Sequence, residues 1–205
     1  NEYYITDTLG IILAAGHRVV AVTAVQPEEA IGVNCRAQLT EASKIMQHRI
    51  QEKLMDSGVT IVDPATTWID ARARIGQDTV IEPFTYISGV VNIGKLCRIG
   101  PFAYLRGGTE IKDDVVLGGF SEIKNSVLAQ GVRARHHSYI GDASVGKNVN
   151  IGAGSITANF DGENVNRTDV GDDSYIGSGA IIIAPLQLED GSQVGPVTVV
   201  SQQDK

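Results

Sequence analysis

Cysteine is scarce in this chain. Cys35 and Cys97 are the only two in 205 residues; they stand far apart and form no C-x-x-C spacing, so they read as free thiols in a reducing compartment rather than as a disulfide framework or a catalytic pair. No apolar stretch approaches the roughly 20 residues of a membrane-spanning helix, and no charged-then-apolar leader opens the chain. Membrane is therefore not an expected partner, and a cytoplasmic location is the expectation. Basic residues are also few: 17 Lys and Arg stand against 24 Asp and Glu, for a net charge of −7. They are scattered with no basic block, which argues against nucleic acid and anionic membrane surfaces. An anionic small molecule would need a local cluster of cations. The chain opens at Asn1, inside what reads as a folded segment, so a piece of a longer protein is expected.

What the chain has in quantity is a repeat. Aliphatic residues recur every sixth position at Ile69, Ile75, Ile81, Ile87, Ile93, Ile99, Leu105, Ile111, Leu117 and Ile123. The register slips between Lys124 and Tyr139, resumes loosely at Ile140, Val145 and Ile151, and returns at Val170, Ile176, Ile182, Leu188, Val194 and Val200. Small or β-branched residues often follow four positions later, as in Thr79, Thr85, Val91 and Cys97, and Gly or an acidic residue often follows the anchor directly. A helix needs a period of 3.6 and a half-buried strand a period of two, so neither explains six. A coil of short parallel strands does: each hexapeptide forms one side of a triangular prism, its aliphatic residue stacks inward on its equivalents, and the Gly or acidic residue serves the corner. Functional loops are expected where the period fails, around Arg133 to Tyr139 and from about Ala158 to Thr168.

Residues 1 to about 60 lack the period. Asp7 is positioned to cap a short helix through Ile11 and Leu13, Val19 to Val22 reads as a buried strand, and Ile45, Met46, Ile50, Leu54 and Met55 recur at helical spacing up to Gly58. The expected division is 1–38 as a remnant of another domain, 39–58 as an amphipathic linker helix whose Met and Leu stripe packs, and 59–205 as the β-helix.

Four segments carry a resemblance: Gly100-Pro101-Phe102-Ala103-Tyr104-Leu105-Arg106, His136 through Ala143, Asn148 through Gly154, and Asn159-Phe160-Asp161-Gly162. Upstream, Asn1 through Asp7 and Gly32-Val33-Asn34-Cys35-Arg36 join them in matching order. Together they resemble the bifunctional family of bacterial cell-wall precursor synthesis that joins glucosamine-1-phosphate acetyltransferase to N-acetylglucosamine-1-phosphate uridyltransferase. The resemblance implies a mainly β chain, a left-handed parallel β-helix preceded by a small α/β remnant and a linker helix. It implies transfer of acetyl from acetyl-CoA to the amine of glucosamine 1-phosphate in a homotrimer. Carried across residue by residue, His136 would be the general base with Glu122 orienting it. Arg106 and Lys124 would grip phosphate and sugar, Tyr139, Asn150 and Asn159 would position the sugar, and Ala153, Ser178 and Phe160 would meet acetyl-CoA. Asn34 matches a Mg²⁺ ligand of the uridyltransferase half, whose glycine-rich start does not occur in this chain; no uridyltransferase activity is expected.

The residue types agree with acyl transfer. An amine attacks only when neutral, which suits a histidine base, and the tetrahedral oxyanion suits a fixed N–H donor. His137 should point away from His136 on a strand, and Asp161-Gly162 is a turn signal. The family's loop has Tyr, Lys and Asn where this chain has Phe160, Val165 and Gly119. Other readings stay open: a different hexapeptide acyltransferase, a zinc-dependent β-helix needing three His ligands, or a scaffold with a disabled site.

Overall fold

The computed structural model describes residues 4–202, so Asn1–Tyr3 of the first upstream motif lie outside the described residues. The chain divides into two units, Asn1–Ile45 and Met46–Lys205. In the first, helix α1 spans Asp7–Ala14 with Thr6 at its N-cap; Asp7 lies inside the first turn, where its carboxylate accepts the Tyr4 N–H at 3.0 Å. Val19 to Val22 form no strand and are exposed. The reason is pairing: a strand exists only where a neighbour takes its backbone groups, and the first unit has no strand among its described residues.

Helix α2 covers Arg36–Asp56, starting earlier than the linker helix read from hydropathy. The Gln38 side chain accepts the N–H groups of Asn34 (2.7 Å) and Cys35 (3.1 Å), which satisfies donors that a helix start leaves without partners. In the second unit its buried residues are Gln47 and Gln51, whereas Met46 and Met55 are exposed. Of the expected packing stripe Ile50 and Leu54 pack against the core while the methionines do not, and two amides share the buried side. Gln47 donates to Ile69 O (2.8 Å) and accepts from Ile69 N (2.9 Å), and Gln51 donates to Thr67 O (2.8 Å) and Pro64 O (3.1 Å). An open strand edge would leave these groups bare, and the helix caps it as another strand would.

From Thr60 onward the chain is a left-handed parallel β-helix of about eight turns, built from three parallel sheets of eight, eight and seven short strands. Chain neighbours lie in different sheets, so every pairing joins one coil to the next. The register stacks like on like: Ile81 on Ile99, Ile87 on Leu105, Ile93 on Ile111. These columns are the core, and most of their side chains are fully buried.

Two features differ from the sequence reading. The slip after Lys124 is not a break: Leu128 pairs with Ile111 and Val145, and Ala134 with Leu117 and Ile151. The inward positions Ile123 and Leu128 are five apart, as are Ile140 and Val145, so one residue is missing at the corner between second and third sheets in two successive coils. Arg133–His136 is accordingly a paired strand rather than a loop. Second, the tight backbone falls three residues after the anchor, at positive-φ positions such as Asp78, Phe84, Phe102, Asp114 and Phe120. The glycine that follows an anchor answers a different need. At Gly76 a Cβ would lie 2.7 Å from the backbone of Gly94 in the next coil, so the close approach of coils selects it.

Candidate active site

The shortened corners, and the long insertion after them, gather the polar residues of the third to sixth coils. On the outer face of the second sheet Tyr104, Glu122 and Tyr139 form one column, and Arg106, Lys124 and Gly141 the next. Adjacent coils are about 4.8 Å apart, so Arg106 and Lys124 stand as neighbouring cations. Arg106 donates to Glu122 at 3.0 Å, and that bond raises the guanidinium pKa. Lys124 Nζ donates to Asp142 at 3.1 Å. Asn159 Nδ2 reaches both Asp142 (2.5 Å) and the Tyr139 hydroxyl (3.4 Å).

Gly141 explains how Asn159 gets there. A Cβ at this position would lie 2.5 Å from the Tyr139 hydroxyl and 2.8 Å from Asn159 Nδ2. The missing side chain is the space that both polar groups occupy. Asn159 opens the insertion, a small hairpin in which Phe160 bridges Val165 and Asn166 N donates to Asn159 O at 2.7 Å. Asp161 shapes its turn by accepting the N–H groups of Glu163 (2.9 Å) and Asn164 (2.7 Å) and the Asn166 amide (2.8 Å), which lower its pKa. Phe160 and Val165, where the resembled family has Tyr and Lys, are therefore cross-strand neighbours, and both are exposed.

His136 ends its strand opposite Gly119, at the corner between first and second sheets. The same corner position one and two coils on is filled by Ala153 and Ser178, all three exposed, with Gly154 N donating to His136 O and Gly179 N to Ala153 O. His137 takes φ 43° and stacks on Phe120, ring centroids 4.9 Å apart, so its ring extends an exposed ladder of Phe84, Phe102 and Phe120. Among the described residues the Glu122 carboxylate is held by Arg106 and not by the His136 ring. Asn150 lies on the outer face of the first sheet, around the corner from Lys124 and Tyr139.

The structure thus brings together Arg106, Glu122, Lys124, Tyr139 and Asn159 on one face, with His136, Ala153 and Ser178 along its edge and Asn150 beyond it. Asn34 belongs to the first unit and is exposed, and among the described residues no three His, Cys, Asp or Glu are grouped to hold a metal. One amide oxygen does not supply the octahedral oxygen set that Mg²⁺ requires. No described helix is long and apolar enough to cross a membrane. The residue that sequence reasoning missed is Asp142, buried at the centre of the cluster. Burial pushes its carboxyl up, but hydrogen bonds from Asn125, Lys124 and Asn159 outweigh burial and leave it below its ordinary value.

Comparison with known proteins fits this picture. Residues 72–107 match the bacterial transferase hexapeptide family (six repeats). The bifunctional protein GlmU of Geobacillus sp. (strain WCH70) is 42% identical over 234 residues, covering 98% of this chain and 51% of that protein. GlmU of Thermobifida fusca (strain YX) is 39% identical over 236 residues, covering 98% and 49%. The chain thus spans about half the length of the curated relatives it matches. Among solved structures, UDP-N-acetylglucosamine acyltransferase from Campylobacter jejuni aligns with a TM-score of 0.46 at 17% identity, over 70% of this chain and 68% of that one.

Proposed function

We propose, from the premise that this chain is a relative of the bifunctional GlmU proteins and fits their C-terminal, acetyltransferase part, that it transfers acetyl from acetyl-CoA to the amine of glucosamine 1-phosphate. The product, N-acetylglucosamine 1-phosphate, feeds UDP-N-acetylglucosamine and cell-wall precursor synthesis in the cytoplasm. The observation that carries this reading is the pair of neighbouring cations, Arg106 and Lys124, beside the His136 corner on a chain of net negative charge. Arg106 and Lys124 hold the phosphate with the donors their carboxylates leave free. Tyr139, Asn150 and Asn159 orient the sugar; Ala153, Ser178 and Phe160 receive acetyl-CoA. In this reading 59–205 is the catalytic β-helix, 39–58 its linker and 1–38 a remnant of the neighbouring domain.

Chemistry follows from those positions. The neutral amine attacks the thioester carbon, a C–N bond forms as the C–S bond breaks, and the amine proton passes through His136 to the departing thiolate. A backbone N–H along the corner meets the oxyanion. Glu122 holds Arg106 in place, and turns to His136 only if the bound phosphate releases it.

His136 is exposed and Arg106 and Lys124 are half-buried on the outside of the prism, so enclosing two substrates calls for a further surface. A homotrimer in which a neighbouring copy covers these residues supplies that surface. The experiment is acetyl transfer to glucosamine 1-phosphate, followed by thiol release, with serine and uridine-linked amino sugars as competing acceptors. His136→Ala is expected to lower kcat about 10²- to 10⁴-fold, the usual contribution of a general base. Preference for another acceptor would place the chain with a different acyltransferase; equal activity in the variant would remove His136 from the chemistry.

A further inference from the structure

Asp142 occupies the second of the two shortened corners. It takes φ 51°, and its side chain turns into the cluster, so the residue is only 8% exposed. A buried carboxylate is costly unless its lone pairs are met by donors. Here they are: Oδ1 accepts Asn125 Nδ2 at 2.6 Å, and Oδ2 accepts Lys124 Nζ at 3.1 Å and Asn159 Nδ2 at 2.5 Å. Its main chain does as much. The Asp142 N–H donates to Lys124 O at 2.9 Å, and its carbonyl accepts Thr168 N at 3.3 Å. Asn159 and Thr168 are the two ends of the hairpin insertion, so a single residue grips both of them together with the Lys124 ammonium.

We propose that Asp142 is a positioning residue that locks Lys124 and the base of the Asn159–Thr168 hairpin into one rigid unit, setting the acceptor end of the site before substrate arrives. The role rests on the acetyltransferase reading. At both shortened corners the positive φ falls two residues after the anchor, at Asn125 and Asp142, and from there the Asp142 carboxylate meets Lys124 rather than solvent. The pair leaves Lys124 two further N–H donors for an anionic ligand. A fixed ammonium loses less freedom on binding than a mobile one, which is the benefit of preorganisation.

The test uses the whole chain in its native assembly. Asp142→Asn is expected to raise KM for the acceptor about tenfold, the size of coupling seen within one hydrogen-bonded network, while KM for acetyl-CoA stays unchanged. Combined with Lys124→Ala, it should add little to the loss that Lys124→Ala causes alone, because both cut the same link. Independently of activity, Asp142→Asn should speed amide exchange in the hairpin, residues 160–167, by about tenfold, with exchange in the first three coils unaltered. Asn159→Ala cuts the link from the hairpin side and should reproduce that local exchange, which keeps the test available if Asp142→Asn does not fold. Unaltered hairpin exchange in the folded variants, or fully additive loss with Lys124→Ala, overturns the proposal. Absence of acetyl transfer in the unmutated chain overturns the acetyltransferase reading instead, and the exchange measurement still decides the clamp.

Discussion

At the scale of single residues, two glycines one coil apart separate fold from site. Gly118 faces backbone: a Cβ there would lie 1.6 Å from Arg135 O, which only a shift of the strand that carries His136 could relieve. Gly141 faces only the ends of side chains, the Tyr139 hydroxyl and the Asn159 amide. Gly118→Ala is therefore expected to destabilise the β-helix by about 3 kcal/mol or more, by the overpacking argument. Gly141→Ala should leave the melting temperature nearly unchanged but lower kcat/KM on the order of 10- to 100-fold, because it displaces Asn159 from Asp142. A thermal melt and steady-state kinetics on both variants check this, and equal loss of stability in the two would refute the distinction. None of it was legible in the sequence: Gly118 follows its anchor as other repeat glycines do, and Gly141 lies inside the resembling segment His136–Ala143 with no sign of the space it leaves. Asp142 stood inside a motif yet carried no sign of burial, since an aspartate in a period-six repeat reads as a corner.

The strand columns were the most legible element, because an anchor every six residues leaves a hydropathy signal that no other structure copies. The signal faded where Leu128 and Val145 kept their inward places across five-residue corners. A fixed period cannot follow a deletion that the fold absorbs at a corner. Val19 to Val22 misled for the opposite reason, as local apolar character with no partner strand. Helix α2 was legible as a helix, but the side it buries was not. Its contact with the first coil joins the apolar side chains of Ile50 and Leu54 to two glutamines, and the glutamines answer bare backbone, which a hydropathy pattern does not register. This yields a prediction at the element scale. Gln47→Ala exposes a buried N–H and C=O of Ile69 without a partner, at a cost of about 1–3 kcal/mol for each group left unmet. Urea unfolding should register that loss, whereas His48→Ala on the exposed side should not exceed ~0.5 kcal/mol. Equal effects would mean that the amide cap contributes nothing.

At the scale of the whole molecule the acetyltransferase reading turns on one fact of the β-helix: His136, Arg106 and Lys124, which that reading makes reactive, lie on its outer surface. The second sheet turns Ile156, Ile181 and Val199 outward one above another, each at least 36% exposed, and Trp68, Tyr86 and Tyr104 continue the same column in earlier coils. Glu122 and Tyr139 of the candidate site part the two runs. Single exposed apolar residues need no explanation, but two such runs flanking a site are of the kind that marks an interface. Solenoid coils touch only their neighbours, so on the proposed trimer reading a charge introduced on this outer column disturbs association without unfolding the coils beneath it. Ile181→Asp is expected to give a species near 21.8 kDa by sedimentation, with the far-ultraviolet spectrum of the parent and little acetyl transfer. The link between assembly and chemistry is what this variant tests. A folded monomer with full turnover would show that one chain suffices for both substrates, and the covering copy would have no part in the site. Loss of turnover with the assembly intact would assign Ile181 to the ligand surface instead.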